Sequence, residues 1–142
     1  MIHHSTSDDA TRALGENLGK QLRAGDLVTL RGELGAGKTT FVQGLARALQ
    51  IEEITSPTFV LIIEHDGEIP LLHLDAYRLE SACFDSIRDA GVDEFLLRED
   101  AVKLVEWPQM IEDFLPIPRF SVSIEHGDKE DERRIEIIEK YT

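Results

Sequence analysis

The sequence is poor in cysteine, in long hydrophobic runs and in positive charge. Its single cysteine, Cys83, cannot form an internal disulfide. The longest strongly apolar runs, residues 59–63 and 69–74, end after five or six residues, whereas a membrane-spanning helix needs about 20. The first nine residues include neither the basic segment nor the apolar segment of a secretory signal. We therefore expect a cytoplasmic protein that does not cross a membrane.

Positive charge is scarce, because 15 lysine and arginine residues stand against 28 aspartate and glutamate residues, for a formal net charge of −13. Affinity for a nucleic-acid backbone comes from lysine and arginine, which displace condensed counterions. The composition therefore argues against unaided binding to RNA or DNA. It argues equally against binding to an anionic membrane surface.

The chain is long enough to fold on its own. It has 142 residues, of which 42% are hydrophobic, and this is enough to fill the core of one domain. No internal repeat, low-complexity tract or linker divides it. We therefore expect a single domain over residues 1–142.

The first part of the chain predicts a helix, a strand, a loop and a second helix. Ser7 followed by two aspartates is typical of a helix start. Apolar residues then recur at every fourth position, and we expect Gly25 to end this helix. A β-rich run at 27–30 leads into a glycine-rich stretch, after which helical spacing resumes over 41–49.

Further strands follow. Two apolar runs, 59–64 and 69–75, flank the turn dipeptide Asp66-Gly67 and predict a hairpin. Residues 81–97 predict short helices broken near Gly91.

The last part of the chain adds one more strand and a second hairpin. Residues 101–107 predict a strand that Pro108 ends. Residues 120–124 and 133–140 predict an antiparallel C-terminal hairpin. Together the elements predict an α/β domain whose mixed, largely parallel central sheet is flanked by helices.

The glycine-rich stretch fits the phosphate-loop pattern G-x-x-x-x-G-K-[S/T]. Glycines let backbone amides turn toward phosphate oxygens, and the positive end of the following helix adds to the attraction. Lys38 would then reach the β and γ phosphates, and the Thr39 hydroxyl would ligate Mg²⁺. A glycine turn that merely caps a helix is the alternative, but the strand before it and the helix after it favour a P-loop NTPase-like fold. The residues of the loop are Gly32, Glu33, Leu34, Gly35, Ala36, Gly37, Lys38 and Thr39.

Two acidic residues are candidates to complete the site. Mg²⁺ bound to a triphosphate commonly takes a hydroxyl and a carboxylate from the protein. Asp75 and Glu106 each end a predicted strand, and periodicity does not decide which meets the metal and which positions water. Each could also be a solvated acid at a strand end. With Lys38 they are the candidate catalytic residues, whereas His73 and Trp107 are expected to be packing residues.

Three polar residues have competing interpretations. Ser56 and Thr58 lie in a loop whose hydroxyls could sense the γ phosphate, or they belong to an ordinary proline turn. Arg78 could stabilise charge in a transition state, or it could simply pair with Asp75.

Four motifs together resemble one family, the small bacterial P-loop ATPases known as TsaE or YjeE. They stand in the family's order and approximate spacing, over about residues 7–108. Four motifs in register are far more specific than a phosphate loop alone. They are Gly32-Glu33-Leu34-Gly35-Ala36-Gly37-Lys38-Thr39-Thr40-Phe41, Ser56-Pro57-Thr58-Phe59, His73-Leu74-Asp75-Ala76-Tyr77-Arg78-Leu79 and Val105-Glu106-Trp107-Pro108.

The resemblance implies that ATP is the substrate and Mg²⁺ the cofactor. It implies that Thr39 and Glu106 hold Mg²⁺, that Asp75 supports hydrolysis near Thr39, and that residues 56–59 act as a switch segment. Asp8 and Thr11 become candidates for contacts with the base or ribose. The full ATP-binding set is then Asp8, Thr11, Glu33, Leu34, Gly35, Ala36, Gly37, Lys38, Thr39 and Thr40.

The resemblance also implies partners. One partner transfers a threonylcarbamoyl group to adenosine 37 of tRNAs that read codons starting with A, and another scaffolds that transferase. The ATPase, weak alone, would reset the complex between cycles without transferring the group itself. It would meet tRNA only indirectly, which agrees with the acidic composition.

Other functions stay open at this point. A small GTPase usually carries an Asn-Lys-x-Asp element, but the one asparagine, Asn17, precedes the phosphate loop. A small-molecule kinase usually has an arginine-bearing lid, for which Arg133 and Arg134 are the clustered candidates. A non-hydrolysing assembly factor would use the same loop without turnover.

Overall fold

The computed structural model describes residues 1–33, 35–52, 54, 62–79 and 91–140. Seven strands form one sheet in this part of the chain: β1 (Ile2–Ser5), β2 (Leu27–Gly32), β3 (Ile62–His65), β4 (Leu71–Asp75), β5 (Val102–Glu106), β6 (Phe120–His126) and β7 (Arg133–Glu139). The α-helices are α1 (Asp8–Gly19), α2 (Lys38–Ala48) and α3 (Val92–Leu97), and 3-10 helices cover Ala76–Leu79 and Pro108–Phe114. None of the described helices is long and apolar enough to cross a membrane.

The sheet has parallel strands at its centre and antiparallel strands at both edges. The order is β1-β7-β6-β2-β5-β4-β3. Strands β6, β2, β5 and β4 pair in parallel, whereas β3 joins β4, β7 joins β6 and β1 joins β7 in antiparallel fashion. The predicted α/β class, the mixed central sheet and the C-terminal hairpin are therefore confirmed.

Local patterns place most elements but not all of them. The sequence pattern does not predict β1, whose four residues form a strand by pairing with Arg133 to Glu136 of β7. The predicted first hairpin is present as β3 and β4, and its residues 59–61 lie outside the described part of the chain. Residues 81–90 of the predicted short helices also lie outside it, and α3 follows.

Helix α1 begins where the sequence predicts but ends earlier. The Ser7 hydroxyl accepts a hydrogen bond from the Ala10 amide, and Asp8 and Asp9 stand in the first turn. The helix ends at Gly19 rather than running to Gly25, because the amides of Gln21 and Leu22 bond three residues back and tighten the chain into turns. Gly25, with φ 95°, instead donates its amide hydrogen to the Ala101 carbonyl oxygen at the start of β5.

Two hydrophobic layers cover the sheet, because successive strand side chains point to opposite faces. One layer lies beneath α1 and α2, and the other lies beneath α3 and the 3-10 helix Pro108–Phe114. Members of the first layer include Leu18, Val28, Leu30, Phe41, Leu45 and Leu104. Members of the second include Leu72, Leu74, Val92, Phe95, Val105 and Ile111. The central strands are thus buried on both faces, as is usual for parallel strands.

Strand register brings three strand ends to one edge of the sheet. Leu30 of β2 and Asp75 of β4 both align with Glu106 of β5. The loop after β2 therefore emerges beside both candidate carboxylates.

Helices α1 and α2 approach closely at glycine positions. A Cβ atom on Gly44 would collide with the Arg12 carbonyl oxygen, and one on Gly15 would collide with the Phe41 carbonyl oxygen. A Cβ on Gly19 would lie 2.6 Å from the Ala48 Cβ. The position of α2, and of its first turn, depends on this contact.

We predict that Gly44→Ala lowers the free energy of unfolding by about 1–3 kcal/mol, because the added methyl group forces the helices apart. This loss should occur although alanine is the better helix former by about 1 kcal/mol. Urea denaturation measures it. Asn17→Ala, at an exposed position of α1, is the matched control and should cause no loss. A Gly44→Ala protein as stable as its parent would contradict the close helix contact.

Candidate functional site

The loop between β2 and α2 has the backbone geometry that the phosphate-loop pattern predicts. Gly35 and Gly37 have φ values of 79° and 101°, in the left-handed region that side chains rarely adopt. The Ala36 amide donates to the Glu33 carbonyl oxygen at 3.1 Å and closes a turn. The amides in the first turn of a helix have no partner within the helix. No side-chain hydrogen bond caps α2 either. Leu34 lies outside the described residues.

A cavity of about 410 Å³ opens beside this loop. Its size is suited to a small molecule. Residues from five parts of the chain meet there: the start of α1, the loop with α2, the ends of β4 and β5, and the start of β7. The lining residues are Asp8, Gly35, Gly37, Lys38, Thr39, Thr40, Asp75, Glu106, Trp107 and Arg133. All three candidate catalytic residues are therefore brought together.

A larger cavity, of about 580 Å³, is also lined by Trp107. It is lined by Arg31, Gly32, Glu33, Ala36, Trp107, Gln109, Ser123, Ile124, Glu125 and His126. It contains none of the three candidate catalytic residues. We therefore assign the chemistry to the smaller cavity.

Lys38 is the buried cation of the site. Its side chain lies in the cavity wall, and its Nζ is 4.4 Å from the centroid of the Trp107 ring, a cation–π distance. Burial lowers the pKa of Lys38, and the nearby charges of Glu106 and Asp75 partly offset this effect. The ammonium group is thus largely removed from water.

Glu106 is held by a buried hydrogen bond. Its Oε2 lies 2.6 Å from Nε2 of His73, and both residues are buried. Burial alone would raise the pKa of the Glu106 carboxyl, but the hydrogen bond with His73 and the attraction of His73 and Lys38 outweigh it, so the pKa is lowered. Glu106 is therefore a charged carboxylate at neutral pH.

Asp75 is more accessible than Glu106 and has one oxygen engaged. Its Oδ1 accepts a hydrogen bond from the Tyr77 amide at 3.0 Å, which caps the 3-10 helix Ala76–Leu79. This bond holds the carboxylate at the cavity rim. Its second oxygen makes no hydrogen bond within the described part of the chain.

Trp107 is a wall of the site rather than a simple packing residue. Its φ is 56°, a left-handed value that costs free energy for a bulky residue. Its ring contacts the Lys38 ammonium on one side and lies 4.9 Å from the Tyr77 ring. The sequence contains only one signal for this role, namely that the tryptophan directly follows the acidic end of β5.

Arg133 is the lining residue whose position is least predictable from the sequence. The sequence suggested it only as part of a kinase lid, yet it reaches the glycine-rich loop from the start of β7. Its guanidinium donates to the carbonyl oxygens of Glu130 at 2.7 Å and Glu132 at 2.9 Å, and to that of Gly35 at 3.4 Å. It brings a second positive charge to the cavity.

The remaining candidates differ in position. Asp8 lines the cavity. Thr11 is 2% exposed, its hydroxyl shares a 2.7 Å hydrogen bond with Ser5, and it is not among the residues that line the cavity. Its contact with a base or ribose stays a prediction. Ser56, Thr58 and the side chain of Arg78 lie outside the described part of the structure.

The oxygen donors in the cavity fit Mg²⁺. Thr39, Asp75 and Glu106 supply a hydroxyl and two carboxylates, which are the hard ligands that this ion prefers. Among the described residues, no three or more histidine, cysteine, aspartate or glutamate side chains are arranged so that they could hold a metal ion by themselves. A donor set of this kind suits an ion that keeps several waters and shares phosphate oxygens with a nucleotide.

The chain matches known proteins over this whole region. A family model described as "Threonylcarbamoyl adenosine biosynthesis protein TsaE" matches residues 5–135. The chain belongs to the TsaE family. The TsaE protein of Bacillus subtilis is 41% identical over 92% of this chain and 80% of its own length. That of Streptomyces coelicolor is 46% identical over 87% of this chain and 85% of its own length.

A solved structure agrees with this assignment. The crystal structure of YdiB from Bacillus subtilis superposes with a TM-score of 0.76 and 36% sequence identity, over 95% of this chain and 82% of that one. The resemblance to TsaE that the four sequence motifs indicate is thus confirmed. The family match also extends beyond those motifs to the start of β7, so it includes every residue that lines the smaller cavity.

Proposed function

We propose that this protein is a Mg²⁺-dependent ATPase that serves threonylcarbamoyl modification of adenosine 37 in tRNA. One observation carries the ATPase assignment: the glycine-rich loop, Lys38 and two carboxylates converge on one cavity. Membership of the TsaE family supports the pathway, because the relatives are named for tRNA threonylcarbamoyladenosine biosynthesis.

The chain's own groups suit a bound triphosphate. The open amides at the start of α2 and the Lys38 ammonium attract phosphate oxygens. Arg133 adds a second positive charge, a guanidinium, on the β7 side of the cavity. Because these groups are partly or wholly buried, they attract an anion despite the net charge of −13.

The two carboxylates have different roles in this proposal. Glu106, with the Thr39 hydroxyl, holds Mg²⁺, and Asp75 supports hydrolysis by orienting water through its second oxygen. The metal, when bound, neutralises charge on the phosphates and the leaving oxygen. Asp75 suits the water-orienting role because it is the more accessible carboxylate and is fixed by the Tyr77 amide.

Partner proteins complete the proposed activity. The ATPase resets a complex of the threonylcarbamoyl transferase and its scaffold between cycles, and it meets tRNA through that complex in the cytoplasm. The surplus of acidic residues supports indirect contact with tRNA.

A small-molecule kinase is a second candidate, favoured by the larger cavity that shares Trp107 with the nucleotide cavity. An acceptor bound there would take the γ-phosphoryl group. Phosphate release with ATP, measured with and without partner proteins, separates the two. Free phosphate without a phosphorylated small molecule excludes the kinase, and no hydrolysis under any condition excludes the ATPase.

Lys38→Ala should abolish measurable ATP binding, a loss of at least about 100-fold, because a charge-assisted contact to phosphate disappears. Titration calorimetry measures the affinity, and circular dichroism checks that the fold is kept. Lys20→Ala, at the exposed position directly after α1, controls for the loss of one positive charge. Unchanged ATP affinity in Lys38→Ala would disprove the nucleotide assignment.

Glu106→Gln should lower Mg²⁺-dependent hydrolysis at least about tenfold, because a metal ligand loses its charge. Its ADP affinity in EDTA should change by less than about threefold, since His73 keeps an acceptor oxygen. Glu112→Gln, at an exposed acid outside the cavity, is the control. If Mg²⁺ dependence survives in Glu106→Gln, Asp75 takes the ligand role instead.

The tagged protein should recover both pathway partners from a mixture of the purified proteins when ATP or ADP is present. The amounts recovered should differ between the two nucleotides, because a resetting ATPase must bind its complex differently before and after hydrolysis. Lys38→Ala should lose this difference. Recovery of neither partner with either nucleotide would contradict the proposed partnership.

A further inference from the structure

We propose that His73 is a positioning residue for Glu106, holding one carboxylate oxygen so that the other stays available to the cavity. The sequence suggests only packing for this histidine. The inference rests on the proposed function, because the task assigned to the free oxygen is to hold Mg²⁺.

The geometry places His73 directly behind the site. His73 and Asp75 are two residues apart on β4 and therefore point to the same face of the sheet. Asp75 aligns with Glu106 on the neighbouring strand, so all three side chains lie on that face. The His73 ring reaches Glu106 across the strand pair, with 2.6 Å between Nε2 and Oε2.

The hydrogen bond has a defined direction. Glu106 is a charged carboxylate and can only accept, so Nε2 of His73 carries the hydrogen and donates. The other ring nitrogen, Nδ1, is buried and has no hydrogen-bond partner in the described part of the chain. Within that part, Glu106 is therefore the only hydrogen-bond partner of this ring.

Burial of His73 costs more free energy than a residue that only packs would require. His73 is 1% exposed and lies among the apolar side chains of the first hydrophobic layer, including Leu71 and Leu104. Burying a polar nitrogen without a partner costs free energy that an aliphatic side chain would avoid. The hydrogen bond to Glu106 offsets this cost. We therefore assign His73 the role of holding that carboxylate.

The consequence concerns Lys38. Glu106 and Lys38 line the same cavity and attract each other, yet they form no ion pair among the described residues. A glutamate with flexible torsions would turn toward the nearest cation if nothing held it. His73 holds Oε2, which keeps the carboxylate directed to the metal position and leaves the ammonium for phosphate.

The test compares ADP affinity with Mg²⁺ and with EDTA, by titration calorimetry. The ratio of the two affinities isolates the metal contribution, and a purely structural defect would lower both affinities together. We expect His73→Leu to lower this ratio about tenfold, a typical effect for a residue that orients a metal ligand. Affinity in EDTA should stay within about threefold of the parent value, since the phosphate groups are untouched.

Two further variants keep the test decisive if His73→Leu folds poorly. His73→Gln retains an N–H close to the position of Nε2 and should restore most of the ratio, whereas His73→Asn is too short to reach Glu106 and should not. Thr29→Val, which removes a 3.1 Å hydrogen bond to Ser121 elsewhere in the sheet, is the control and should leave the ratio unchanged. An equal ratio in the Gln and Asn variants would overturn the proposal.

A double-mutant cycle separates this proposal from the proposed function. In a Glu106→Gln background, the His73→Leu change should no longer affect the ratio, because the charge that it positions is absent. If the parent protein gains no ADP affinity from Mg²⁺, the metal assignment fails and this inference fails with it. If the parent gains affinity and His73→Leu keeps the full gain, only the role of His73 is disproved.

Discussion

The buried ammonium of Lys38 is the group on which the arrangement of the site depends. It is 8% exposed and forms no ion pair in the described part of the chain. An unpaired buried charge is costly, so surrounding groups must compensate. Glu106 and Asp75 compensate from a distance, and the face of Trp107 contributes a cation–π contact at 4.4 Å. Neither carboxylate forms an ion pair with the Lys38 ammonium in the described part of the chain, which leaves this group available to a phosphate.

Strand pairing and helix packing place these groups around Lys38. Parallel pairing sets Asp75 and Glu106 side by side, and the same register brings the end of β2 next to them. The close contact between Gly15, Gly44 and the facing helix backbones fixes α2 against α1. The first turn of α2 is therefore held at the sheet edge where the carboxylates lie. Stability and function are linked here, because loosening the helix pair would displace Lys38.

The part of the site that could be predicted from sequence is the part encoded by local pattern. The spaced glycines and Lys38 predict the loop, and the position of each acid at the end of an apolar strand predicts its place in the site. No local pattern predicts the roles of Arg133 and His73. Arg133 reaches Gly35 of the loop, and His73 reaches Glu106, only through contacts between residues far apart in the sequence. The length predicted for α1 is wrong for a related reason. Its apolar spacing continues to Leu22, which is buried after the helix has ended.

Trp107 shows how a local cost can serve the site. A left-handed backbone costs an ordinary residue roughly 1–2 kcal/mol, and Pro108, fixed in φ, follows directly. With this backbone, Trp107 lines both cavities and its ring contacts Lys38. A change in the position of Lys38 would therefore alter the environment of Trp107, and through their 4.9 Å ring contact that of the half-exposed Tyr77. The strained residue connects the buried cation to the protein surface.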